Sequence, residues 1–221
     1  MGDESARIIE ALKDAGVAGA DQFGTFVNDT HFLAPSKFDE RAAMPTLLKL
    51  LPTIHDSRDL WAAVGHLGRP WARPVAFEPL LQIFLIRAEQ DHQLGWSIGD
   101  ALVTTATASN VETLLEISTD RKYGSARQMI VYSLWRFKKD EQIKNALIGL
   151  LNDSDVSLHA MSALRRTVGN EEAIEYLNVV RDASDNQTIR KQAQKAITKS
   201  ETAIAKSTRA HPHHGLGTRN D

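Results

Sequence analysis

A repeat constrains this chain more than any other feature. Leu67, Leu102, Leu134, Leu164 and Ile197 stand 35, 32, 30 and 33 residues apart, and each closes a short apolar helical stretch that follows another. Such a period marks an array of helical hairpins, because one hairpin cannot bury its apolar face alone and must stack on its neighbours. A second column, Leu47, Leu81, Leu114, Leu147 and Leu177, recurs in the preceding helix at intervals of 34, 33, 33 and 30. Three residues later come Leu50, Phe84, Ile117, Leu150 and Val180, the i, i+3 spacing of one buried face. Pro45 and Pro79 precede their column leucines by two residues and predict helix starts, since a first-turn N–H has no intrahelical acceptor to lose.

The second helix of each pair has its own pattern. Counting back from the anchor, position −8 holds Asp59, Leu94, Ala126, Val156 and Ile189, and position −4 holds Ala63, Ile98, Ile130, Ala160 and Ala193. Position −1 holds His66, Ala101, Ser133, Ala163 and Ala196. Small residues at helical spacing let neighbouring helices approach closely, as stacked hairpins require.

These residues resemble the HEAT family, whose repeat passes from an apolar helix through an Asp-containing turn into a helix beginning Val-Arg-x-x-Ala-x-x-Ala-Leu. Ile189-Arg190-Lys191-Gln192-Ala193-Gln194-Lys195-Ala196-Ile197 matches best. Val156 to Leu164 follows the pattern with Ser157 in place of arginine, Arg127 restores the arginine one repeat earlier, and Leu60 and Gly95 replace it in the first two repeats. The resemblance covers residues 42 to 199 and fades toward the N-terminus. It implies an all-α fold, an α-solenoid of about five HEAT-like hairpins over residues 42–201.

Residues 1–41 are expected to form an N-terminal helical cap. Ile8, Ile9 and Leu12 give one amphipathic helix before Gly16, and an irregular stretch follows with Phe23, Phe26, Phe32 and Leu33. Residues 202–221 lose the period and are expected to be a disordered tail. His211, His213 and His214 offer imidazoles there, but no carboxylate is spaced beside them, so no metal site and no cofactor are expected. The 221 residues contain no cysteine, which excludes a disulfide framework and any thiolate ligand or nucleophile. The start, Met-Gly-Asp-Glu-Ser, lacks the pattern of a secretory signal, and no stretch of about 18 apolar residues occurs. The expected location is cytoplasmic, with no membrane contact.

Function on such a scaffold is expected on the inner face formed by the second helices. Opposite the buried position −4, at 100° per residue, lie positions −9, −6, −2 and +2. Position −6 carries Trp61, Trp96, Gln128, Leu158 and Lys191, and position −2 carries Gly65, Asp100, Tyr132, Ser162 and Lys195. Position +2 carries Arg69, Thr104, Arg136, Arg166 and Lys199. Exposed aromatic side chains are favoured partner anchors, so Trp61, Trp96, Tyr132 and Trp135 are candidates; the competing account packs the tryptophans between repeats. The arginines and lysines would steer an acidic protein surface, although cations at helix ends are also stabilised by the helix dipole.

Charge is uneven along the chain: residues 1 to 110 carry 9 basic and 14 acidic side chains, residues 111 to 221 carry 17 and 14. That gradient and a pI near 6.4 favour a protein partner over general nucleic-acid affinity. No phosphate loop or His-Glu-x-x-His helix occurs, and neither Ser97 near His92 nor Ser157 near His159 has an evident third partner. No catalytic residue is assigned and a non-enzymatic adaptor is expected. The alternative is a DNA-binding protein similar to HEAT-like alkylation-repair DNA glycosylases, on the loose likeness of the Trp96, Asp100 and arginine content.

Overall fold

Aspartates set where several helices begin. Asp39 Oδ1 accepts from the N–H groups of Arg41 at 3.1 Å and Ala42 at 3.0 Å, and Asp56 Oδ1 from those of Arg58 at 2.9 Å and Asp59 at 3.1 Å. Asp91 accepts from Leu94 N–H at 3.0 Å and Asp140 from Gln142 N–H at 2.9 Å. Each satisfies first-turn donors that the helix itself cannot, a contribution of about 1 kcal/mol per cap. The computed structural model describes residues 2–24 and 37–210, and it is all-helical, with no strand among the described residues. Two compact units divide the chain, residues 1–133 and 134–221.

The first unit contains α1 (Asp3–Asp14), α2 (Glu40–Leu50), α3 (Ser57–Leu67), α4 (Phe77–Arg87), α5 (His92–Thr105), α6 (Val111–Thr119) and α7 (Gln128–Ser133). Helix α1 packs on α2, α2 on α3, α4 on α5 and α6 on α7, while α5 also packs on both α3 and α7. The anchors Leu67 and Leu102 and the column residues Leu47, Leu81 and Leu114 are buried, each worth about 1.5–3 kcal/mol of transfer free energy. Contact between helices is close at Gly95. A Cβ there would stand 2.7 Å from Ala126 Cβ and 2.8 Å from Ala88 Cβ, so only hydrogen fits.

Two expectations fail in α2. Pro45 lies inside the helix rather than at its start, because the Asp39 cap begins the helix a full turn earlier. Leu50 is only half-buried and Leu51 takes its place in the core, because the chain tightens at Leu51–Thr53 into a 3-10 turn that rotates the apolar side by one residue.

Between α6 and α7, the 3-10 segment Arg121–Arg127 reverses the chain at Gly124, whose φ of 47° and ψ of −131° lie in a region open essentially to glycine. Arg127 is fully buried beneath it. Its Nε donates to the Gly124 carbonyl at 3.0 Å and its Nη1 to the Ser118 carbonyl at 2.9 Å, so the guanidinium ties the end of α6 to this turn.

The N-terminal segment covers the first hairpin through aromatic packing. Helix α1 buries Ile8, Ile9 and Leu12, and the buried rings of Phe23 and Phe38 lie 5.9 and 4.4 Å, centroid to centroid, from the imidazole of buried His66. Phe26, Phe32 and Leu33 lie outside the described residues, as do His211, His213 and His214.

The second unit opens with a 3-10 turn, Leu134–Phe137, and continues with α8 (Glu141–Gly149), α9 (Ser157–Val168), α10 (Asn170–Ala183) and α11 (Gln187–Ala210). Helix α8 packs on α9, α9 on α10, and α11 on both α9 and α10. The anchors Leu134, Leu164 and Ile197 and the column residues Leu147 and Leu177 are buried, as are Ala160, Ala163 and Ala193. Helix α11 continues to Ala210, so the segment expected to lose structure after residue 201 is helical over its first part.

Candidate functional site

Within the first unit, Trp61 on α3 and Trp96 on α5 are 39% and 41% exposed. The packing between α3 and α5 therefore does not enclose them. The reason is local: Ala62, Ala63 and Val64, and Ile98, Ala101 and Leu102, supply the buried sides of their helices, which leaves the tryptophans outside. Asp100 is also exposed, one helical turn beyond Trp96, and desolvation by the surrounding protein holds its carboxyl above the ordinary range. Tyr132 on α7 is half-buried.

Trp61 borders a groove of about 330 Å³ lined by Ser57, Arg58, Asp91, Gln93 and Leu94. Ser57 Oγ donates to Asp91 Oδ2 at 3.3 Å, joining the start of α3 to the cap of α5, and Arg87 Nη2 lies 3.2 Å from the same Ser57 oxygen. The groove thus offers an indole face, one aliphatic side chain and a short polar rim. Its polar residues escaped the sequence reading because Ser57 and Asp91 are 34 residues apart; the usable signal was the repeated aspartate before each second helix.

Arg69, at the head of the expected cationic column, is committed elsewhere. Its Nε donates to Glu40 Oε2 at 2.9 Å and its Nη2 to Glu40 Oε1 at 2.5 Å, while His66 Nδ1 stands 3.2 Å from Oε1. Burial alone would raise the Glu40 pKa, but Arg69 and His66 together bring it below the ordinary carboxylate value. Burial lowers the His66 pKa, and Glu40 offsets part of that effect. This group closes the two ends of the α2–α3 hairpin and is a packing device.

In the second unit, Trp135 is half-buried and lies in the 3-10 turn, with the Arg166 guanidinium carbon 5.0 Å from its ring centroid. Such stacking holds a cation over an apolar surface. Arg136 and Arg166 are exposed, and the Arg136 guanidinium lies 5.9 Å from the Phe137 ring. Lys191 and Lys195 are exposed on α11. Arg165 points inward instead, donating to Ser200 Oγ at 2.7 Å and Asn170 Oδ1 at 2.8 Å. The candidate residues therefore fall into two sets, Trp61, Trp96, Asp100 and Tyr132 in one unit and Trp135, Arg136, Arg166, Lys191 and Lys195 in the other.

No known protein family, curated protein or solved structure matches this chain. Among the described residues no group of three or more His, Asp or Glu side chains is placed to hold a metal ion, and no helix is long and apolar enough to cross a membrane. Of the serine–histidine neighbours, Ser157 Oγ donates to Gln192 at 2.7 Å, and His92 sits against the backbone of Gly124, where a Cβ would approach its ring within 2.8 Å.

Proposed function

We propose that the chain is a HEAT-like helical-repeat scaffold, an α-solenoid that binds another protein without catalysing a reaction. The binding face is that of the second helices, and Trp61 and Trp96 are its anchors. Support for the repeat architecture comes from the packing order: each hairpin pairs its own two helices, and second helices follow one another, α3 to α5 to α7 and α9 to α11. The observation that carries the binding role is the exposure of two tryptophans at the same place in successive repeats. An indole buries about 150–250 Å² when fully covered, so the two-fifths of each residue still exposed leave about 2 kcal/mol per tryptophan for a partner to recover. The groove beside Trp61 gives one partner side chain a place to seat.

The test begins with a partner recovered from the native cell, identified and purified. Its affinity is then measured for the wild-type chain and for Trp61→Ala/Trp96→Ala. Loss of at least about 2 kcal/mol of binding, roughly 30-fold, is expected while circular dichroism shows the helical fold retained. Equal affinity of the two chains would remove the anchor assignment.

A further inference from the structure

We propose that the solvent-exposed side of α11 binds the phosphate backbone of a nucleic-acid strand. Lys191, Lys195, Lys199, Lys206 and Arg209 are all exposed on this one helix. At 100° and 1.5 Å per residue they fall within an arc of about 80° and form a stripe about 27 Å long, the length of roughly eight nucleotides of one strand. The same arc carries Thr188 and Thr202, with Thr198 about 20° beyond its edge, and the one carboxylate of α11, Glu201, lies about 80° outside it.

Helix stability does not account for the first three cations of this stripe. Cations are favoured at a helix C-terminus, but α11 runs from Gln187 to Ala210, which puts Lys191 and Lys195 in its N-terminal half and Lys199 in its middle. Lys191, Lys195 and Lys199 also follow one another at i, i+4, a spacing at which like charges repel and weaken a helix. The arrangement is held against these penalties, so its use lies outside the helix.

Chemistry selects the occupant. Protein interfaces are anchored on aromatic and aliphatic side chains and exclude lysine from their centres, whereas the arc of α11 presents no apolar side chain to bury. A membrane-surface helix likewise needs an apolar face, and here the apolar side, Ile189, Ala193 and Ile197, is already packed in the unit. A phosphate strand needs only point charges in a row, and contacts of that kind read no sequence. The lysines expected to steer an acidic protein are thereby given a different ligand, and the site is independent of Trp61 and Trp96.

The test uses the full chain and fluorescently labelled 20-nucleotide single and double strands, with anisotropy read across salt concentrations. Binding is expected to strengthen as salt falls, with log K against log salt sloping at about −3.6 to −4.5 on duplex for four or five phosphate contacts. Lys191→Gln/Lys195→Gln/Lys199→Gln should weaken binding at least about 10-fold and flatten the slope by about 2 to 3, while the matching triple arginine variant retains both. Trp61→Ala/Trp96→Ala should bind oligonucleotides like the wild type, which separates this site from the scaffold reading. No binding at the lowest salt, an unchanged slope in the glutamine variant, or tighter binding of poly-glutamate than of either oligonucleotide would overturn the proposal.

Discussion

The two units use one hairpin plan and expose different chemistry. Residues 1–133 carry 12 basic and 17 acidic side chains and leave two tryptophans in solvent; residues 134–221 carry 14 and 11 and expose a row of lysines. Their interiors differ as well. The first unit interrupts its helices with 3-10 turns, buries an arginine and a histidine, and relies on a glycine for close packing. The second packs longer helices through alanines, with Ala160, Ala163, Ala173 and Ala193 all buried. The second unit thus combines alanines in register with part-buried ties such as Arg165 to Ser200, whereas the first closes a chain reversal over a fully buried arginine.

If that contrast is right, removing one such tie should cost more than a comparable surface change. Arg127→Ala is expected to destabilise the first unit by about 3 kcal/mol or more, since it leaves the Ser118 and Gly124 carbonyls without their buried donor and opens a void. Urea denaturation measures it, and a loss under about 1 kcal/mol would mean that the turn holds itself.

Glycines give a matched pair. In the first unit Gly95→Ala should cost about 1–2 kcal/mol, because overpacking between Ala88 and Ala126 outweighs the better helix propensity of alanine. In the second, nothing lies within 4 Å of a Cβ at Gly149, the last residue of α8, so Gly149→Ala should gain about 0.5–1 kcal/mol. Equal signs for the two substitutions would erase the distinction.

A smaller effect concerns acid. Burial lowers the pKa of His66, so the unfolded chain takes up its proton first and stability falls as pH drops through the ordinary histidine value of 6.5. The Glu40 carboxyl, held low by Arg69 and His66, adds a second loss as pH falls below its ordinary value of 4.5. His159 in the second unit shifts the same way through burial, but its ring is less enclosed than that of His66. Melting temperatures between pH 7 and 5 should therefore still decline in His159→Gln, and a flat profile in that variant would assign the pH response to the second unit.

Much of the fold was legible because buried leucines recur where helices must touch, and every anchor from Leu67 to Ile197 is buried. Local geometry was harder to read. Asp39 could outbid Pro45 as the start of α2 only through its side-chain hydrogen bonds, and the rotation from Leu50 to Leu51 depends on a change of helix type that hydrophobic spacing does not encode. The helical residues from Thr202 to Ala210 lack an apolar period because most of them pack on little, yet alanine and lysine sustain the helix. At the candidate site, projection at helical spacing located the tryptophans, but the groove beside Trp61 joins segments distant in sequence.

The packing of neighbouring hairpins within each unit has a consequence for synthesis. Within each unit the contacts join elements that leave the ribosome in close succession, so a hairpin finds its neighbour without waiting for the far end of the chain. Within each unit folding can then proceed as translation does, leaving exposed at any moment little more than the most recent apolar face.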